Sequence, residues 1–143
     1  MAKTPTPILS KSEKDTQAQA EEFLKNLPKN KNYICLFGDL GSGKTVFTKG
    51  LAKALGIENY SVKSPTYSLV REYIHKKGKL YHIDLYRLEA PDEIITRQIK
   101  ELADEKNSLI IIEWADKLEE LPEARVDICF EYVDPETRKI TMF

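Results

Sequence analysis

Apolar and polar positions along the chain change rhythm from one segment to the next. Ala18, Ala20, Phe23, Leu24 and Leu27 recur at the spacing of one helix face. Ser12, with Asp15 three residues on, supplies a capping-box-like start, and Pro28 ends the run. Tyr33–Phe37 is then nearly all apolar, which predicts a short strand covered on both faces. The glycine-rich stretch Gly38–Gly43 separates it from a helical pattern over Lys44–Leu55, stopped by Gly56. Thr66–His75 and Leu80–Leu85 are rich in β-branched and aromatic residues and predict a hairpin turning over Lys76–Lys79. Pro91 opens a helical stretch in which Ile94, Ile95, Ile99 and Leu102 share a face. Ser108–Trp114 predicts a second buried strand, and Asp116–Leu121 a short helix or turn closed by Pro122. Arg125–Val133 and Arg138–Phe143 predict a last hairpin around Asp134–Thr137. Met1–Leu9 holds two prolines and little to pack, and reads as a loose leader or a first edge segment. Strand, loop and helix followed by more strands and helices predict an α/β fold.

Composition narrows the class. At 143 residues and 16.4 kDa the chain reads as one domain, residues 1–143, because two independent cores would each fall below the common size. A content of 41% hydrophobic and 31% charged residues suits a globular chain and excludes a mostly disordered one. The longest apolar stretch, Leu109–Ile112 with its flanks, is too short to span a bilayer, so no membrane association is expected. The net charge of −1 argues against a protein held to nucleic acid mainly by its own basic surface. Cys35 and Cys129 each sit in an apolar, strand-like run and read as buried structural thiols. No paired ligand spacing suggests a disulfide or a zinc site. Met1–Gln17 has no apolar core of the signal-peptide kind, and the expectation is a reducing cytoplasm.

Chemistry concentrates first in Gly38-Asp39-Leu40-Gly41-Ser42-Gly43-Lys44-Thr45, which fits G-x-x-x-x-G-K-[ST]. Glycines let the backbone take positive φ and bring several N–H groups close to phosphate oxygens. The helix that follows adds the partial positive charge of its N-terminus. Lys44 suits the β- and γ-phosphates, and the Thr45 hydroxyl suits Mg²⁺. Leu109–Glu113 is an apolar strand ending in a carboxylate, and ligands of open α/β sheets bind beyond such strand ends, so Glu113 is a candidate for the metal or its water. Trp114 packs against the nucleotide or seals the core, and Asp116 reads as a helix cap. A second cluster is His82-x-Asp84-x-Tyr86-Arg87, with His82 and Asp84 on one face of a strand. Asp84, between Ile83 and Leu85, needs a partner or a metal; the alternative is a strand-end carboxylate bonded to a turn. His82 is either a proton relay or a hydrogen-bonded structural histidine. His75, beside Lys76 and Lys77, reads as a turn residue. The hydroxyl-rich break Ser64-Pro65-Thr66 has the composition of a γ-phosphate-sensing loop.

Four motifs in order resemble the TsaE (formerly YjeE) family of bacterial P-loop ATPases of tRNA threonylcarbamoyladenosine synthesis. They are Gly38–Thr45, Val62–Tyr67, His82–Leu88 and Ile112–Trp114, and the likeness runs from about Thr16 to Arg138. The resemblance implies a P-loop NTPase-like, three-layer fold with a mixed central β-sheet flanked by helices. It implies binding of ATP and Mg²⁺ and slow hydrolysis. It implies action with a TsaD-like transferase subunit and a TsaB-like subunit, and contact with tRNA through that complex. The family modifies the adenosine beside the anticodon in tRNAs that read ANN codons, with hydrolysis resetting the complex. By the same resemblance Lys44 and Thr45 take the phosphate and Mg²⁺ roles, Glu113 is an acidic Mg²⁺ ligand, and Asp84 is the second carboxylate near metal and water. Asp39, Leu40, Gly41, Ser42, Gly43 and Val46 complete the nucleotide loop. Thr16 corresponds to a threonine near the nucleotide, Arg138 to an arginine beside the adenine, and Ser64–Thr66 to a switch-type loop. The chain departs from the family pattern in three places. Ser42 stands where alanine is common, Val46 where threonine is common, and Ile94–Ile99 lacks a usual glycine. Whether Asp84 or Glu113 orients the water stays open, and Arg87 is the in-chain candidate for an arginine finger. A guanine-specific Asn/Thr-Lys-x-Asp string is absent, which favours ATP. A small P-loop metabolite kinase and a nucleotide-gated scaffold are the alternative readings.

Overall fold

In the computed structural model the described residues are 5–57, 70–90, 92–102 and 104–143. Strand β2 (Tyr33–Phe37) occupies the middle of a seven-stranded mixed sheet because its residues are apolar on both faces. Around it lie β1 (Ile8–Ser10), β3 (Val70–His75), β4 (Gly78–Asp84), β5 (Ser108–Glu113), β6 (Arg125–Tyr132) and β7 (Arg138–Met142). The order across the sheet is β1-β7-β6-β2-β5-β4-β3. β2 is parallel to both β5 and β6, and β4 is parallel to β5. The pairs β1–β7, β6–β7 and β3–β4 are antiparallel.

Alternation along the strands builds two cores and so three layers. Ile34, Leu36, Leu80, Ile111, Ile128 and Phe130 pack with Ala20, Phe47 and Leu51, which belong to helices α1 (Glu13–Lys25) and α2 (Lys44–Ala54). Tyr33, Cys35, Tyr81, Ile83, Ile110 and Ile112 face the other way and pack with Ile99 of α3 (Glu93–Leu102), and with Ala115 and Leu118. Tyr33 adds a buried bond from its hydroxyl to the Ile99 carbonyl, tying the central strand to α3.

Local signals set the helix ends. Ser12 caps α1 by accepting the Asp15 N–H at 3.0 Å, while the Asp15 carboxylate reaches back to the Lys11 N–H at 3.0 Å rather than to Ser12. Gly56 ends α2 with φ +76°, and the Ile57 N–H returns to the Ala52 carbonyl. Asp92 caps α3 through the N–H groups of Ile94 and Ile95.

Several expectations need adjustment. Of the two readings of the N-terminal segment, Ile8–Ser10 takes the edge-strand one. The turn expected at Lys76–Lys79 shrinks to Lys76 and Lys77, and Gly78 already belongs to β4. Gly78 has φ +149°, and a Cβ there would lie 1.9 Å from the Asn107 carbonyl oxygen, so the Asn107 backbone occupies the side-chain space. The helix or turn expected from Asp116 is a single 3₁₀ turn, Ala115–Lys117. Cys35 is buried, but Cys129 is only half-buried, across from the half-exposed Phe37. Pro91, the start of the first hairpin strand at 66–69 and the Ser64–Thr66 loop lie outside the described residues. Among the described residues no helix is long and apolar enough to cross a membrane.

Candidate functional site

The loop after β2 bends through three glycines in left-handed backbone regions: Gly38 at φ +146°, Gly41 at +78° and Gly43 at +108°. Gly43 is also the residue from which α2 starts, so the helix opens without a side-chain cap and its first N–H groups face the loop. A side chain at Gly38 would meet the Phe130 carbonyl at 2.6 Å and the Ser42 hydroxyl at 2.7 Å. The motif glycine is thus required by close packing as well as by φ. Ser42 is buried, and its Oγ has no partner among the described residues. Leu40 at the tip is 73% exposed, and Asp39 is exposed beside it. Val46, the third residue of α2, is half-buried.

Lys44 turns back into the arc of this loop. Its ammonium donates to the carbonyls of Gly38 and Asp39, the latter at 2.9 Å. It also lies 4.1 Å from the centre of the Trp114 ring. Burial pushes the Lys44 ammonium below its ordinary range, and the carboxylates of Glu113, Asp84, Asp116 and Asp39 oppose that shift. The cation is thus held beside a cluster of acids.

Register explains why those acids meet. β4 and β5 run parallel with Asp84 across from Glu113, and β2 brings Leu36 alongside Glu113 on the other side. Leu80, His82 and Asp84 alternate onto the α2 side of β4, with Ile111 and Glu113 beside them on β5. Glu113 is only 2% exposed. Its Oε1 accepts the Thr45 hydroxyl at 3.0 Å, and its Oε2 is bonded to Nε2 of the fully buried His82. Asp84 accepts the Tyr86 N–H at 3.0 Å, and its charge acts on Lys44.

Three further residues are placed by the structure. Trp114 takes φ +60° where β5 gives way to the 3₁₀ turn, which lays its ring against Lys44 and 5.2 Å from the ring of Tyr86. Arg138, at the start of β7, donates from Nε to the Gly41 carbonyl at 3.2 Å and stacks over Tyr132. Thr16 is buried, with its hydroxyl 2.6 Å from that of Ser10 on β1. The structure therefore gathers Lys44, Thr45, Asp84 and Glu113 with the loop and brings Arg138 onto it. It gives Thr16 a partner on the edge strand.

A hydroxyl and a carboxylate oxygen in contact at the loop mouth form part of an oxygen donor set of the kind Mg²⁺ takes. Among the described residues no group of three or more His, Cys, Asp or Glu gathers to hold a metal unaided. The set fits an ion that draws its remaining ligands from water and phosphate. The bond from His82 to Glu113 and the contact of Trp114 with Lys44 were not legible in the sequence. Alternation did place His82 on the face of Asp84, but strand order was needed to put Glu113 beside it.

Known proteins share this arrangement of sequence and fold. The family model described as Threonylcarbamoyl adenosine biosynthesis protein TsaE matches residues 10–140. The tRNA threonylcarbamoyladenosine biosynthesis protein TsaE of Aquifex aeolicus is 41% identical over 139 residues, covering 95% of this chain and 94% of that protein. The protein of the same name from Haemophilus influenzae is 40% identical over 116 residues, 80% of this chain and 72% of its own. Among solved structures, Bacillus subtilis YdiB superposes with a TM-score of 0.73 at 29% identity, over 99% of this chain and 87% of that one.

Proposed function

The chain belongs to the TsaE family of threonylcarbamoyl adenosine biosynthesis proteins, and from that premise we propose that it is a Mg²⁺-dependent ATPase of the cytoplasm. In this reading it works with a TsaD-like transferase subunit and a TsaB-like subunit, and meets tRNA through that complex. Its hydrolysis of ATP resets the complex between rounds of modification of the adenosine beside the anticodon. The observation that carries the reading is the Lys44 ammonium inside the glycine loop, with the Thr45–Glu113 pair at the loop's mouth.

The residues have separable tasks. Backbone N–H groups from the glycine loop and the start of α2 bind phosphate oxygens, and Lys44 exchanges its two carbonyl partners for them. Thr45 and Glu113 would hold Mg²⁺, Thr45 through its hydroxyl. Bound Mg²⁺ supplies charge that neutralises the phosphate oxygens as the terminal group is transferred to water. Asp84 and Glu113, the two carboxylates at adjacent strand ends, are the groups available to orient that water. Arg138, bonded to the Gly41 carbonyl, ties the start of β7 to the loop. After Glu113 the described chain is taken up by a 3₁₀ turn and two sheet strands, which supports water rather than a metabolite as acceptor.

The test is multiple-turnover tRNA modification by TsaB and TsaD, supplied with threonylcarbamoyl-adenylate, with and without this protein. Wild type is expected to sustain cycling, and Lys44→Ala to abolish it. Hydrolysis by the isolated protein is expected to fall well below a median enzyme rate of about 10 s⁻¹. Equal product without the protein overturns the pathway assignment. Transfer of labelled γ-phosphate to a small molecule favours a kinase. Modification that survives loss of hydrolysis in Lys44→Ala favours a nucleotide-gated scaffold.

A further inference from the structure

Position 82 is built as a core position and occupied by a histidine. Leu80, two residues earlier on the same face of β4, belongs to the core under α1 and α2, as does Ile111, directly across on β5. His82 itself has no exposed surface. An aliphatic side chain there would bury no polar atom. The imidazole buries two, and its Nδ1 finds no partner among the described residues. The other nitrogen, Nε2, is bonded to Oε2 of Glu113, two residues beyond Ile111 on the neighbouring strand. Such a diagonal pair lies within reach of long side chains. The second oxygen of the same carboxylate accepts the Thr45 hydroxyl.

Glu113 is therefore a buried carboxylate held by one donor on each oxygen. We infer that His82 is a positioning residue of the nucleotide site. By donating Nε2–H to Oε2 it fixes the rotation of the carboxylate, so that Oε1 stays with Thr45 at the loop mouth. Without that donor the carboxylate can rotate away from the Thr45 hydroxyl, so that the two oxygens no longer face the same point at the loop mouth, while Lys44 keeps its place in the loop. His82 acts through Glu113 and touches neither phosphate nor metal.

The inference rests on the nucleotide reading above, and its test separates the two. ADP binding is measured calorimetrically across a Mg²⁺ titration for wild type, His82→Leu, His82→Gln and Glu113→Gln. Wild type is expected to bind ADP and to respond to Mg²⁺. His82→Leu is expected to keep its Mg²⁺-free ADP affinity within about 2-fold while its half-saturating Mg²⁺ rises about 10–100-fold, the usual range for losing a partner behind a metal ligand. His82→Gln, which retains a side-chain N–H, is expected to recover most of that loss. In the Glu113→Gln background, His82→Leu is expected to add nothing further. Should His82→Leu not fold, His82→Asn is read in the same way, because its amide ends short of the Nε2 position. A wild-type Mg²⁺ response in His82→Leu, or an undiminished effect of that change in Glu113→Gln, overturns the positioning role. Wild-type protein that binds no ADP overturns the nucleotide reading, and this inference with it.

Discussion

Cys35 and Cys129 show how far residue type alone carries and where environment takes over. Both sit in apolar strand sequence, yet only Cys35 is fully enclosed. Burial, with the charge of Asp127 beside it, pushes the Cys35 thiol up to about 12. Burial also raises Cys129, helped by Asp127 and Glu131, though this residue is only partly buried. The thiolate is the reactive form, so native protein treated with iodoacetamide near pH 8 should be modified at Cys129 first and at Cys35 only on unfolding. Peptide mass spectrometry over time checks this, and equal rates at the two positions would contradict the burial assignment. The same limit applies at the site. Lys44, Thr45 and Glu113 were legible because each belongs to a short motif or a strand end. His82 was legible as a neighbour of Asp84 but not as a partner of Glu113.

Elements were largely readable because their signals are local. The apolar run of β2, the Ser12 cap and the Gly56 stop each act within a few residues. Where a distant backbone intervenes the reading shifts, as at Gly78, whose missing side chain makes room for Asn107. Gly50 makes the same point in a helix. An alanine in an exposed helix interior would gain about 1 kcal/mol over glycine. At Gly50, however, a Cβ would lie 2.7 Å from the Gln17 Cα and 2.9 Å from the Ala20 Cβ, because α1 crosses α2 there. Overpacking of about 1–3 kcal/mol outweighs the propensity gain, so Gly50→Ala should destabilise the protein in urea unfolding. The β6–β7 turn carries a pH signature. The N–H groups of Glu136 and Thr137, bonded to its carboxylate, hold Asp134 below its usual carboxylate value. Its stabilising effect is present above that usual value and is lost as pH falls through the lowered one. Amide exchange at Glu136 and Thr137 should therefore accelerate, relative to the Asp134→Asn protein, only in strong acid.

At the scale of the whole molecule, sheet order creates the site. β2 lies between β5 and β6, and β4 lies beside β5, so the ends of β2, β4 and β5 deliver the loop, Asp84 and Glu113 to one edge. Under the proposed function, a nucleotide that binds only the folded state must raise the melting temperature. At 100 times Kd the gain is about 2.7 kcal/mol. For a domain of roughly this size that corresponds to about 5–11 °C. Mg²⁺–ADP should produce such a shift in wild type and none in Lys44→Ala, read by scanning calorimetry. The α/β alternation, most strand and helix limits and the glycine loop before α2 were readable from the residue order alone. Periodicity, capping and glycine conformations are decided within one turn or one strand. That His82 meets Glu113, 31 residues on, and that Arg138 reaches Gly41 from 97 residues away came only from the folded arrangement. Those contacts follow from which strands become neighbours. That choice is made by burying apolar faces against one another across the whole chain, and no local pattern records it.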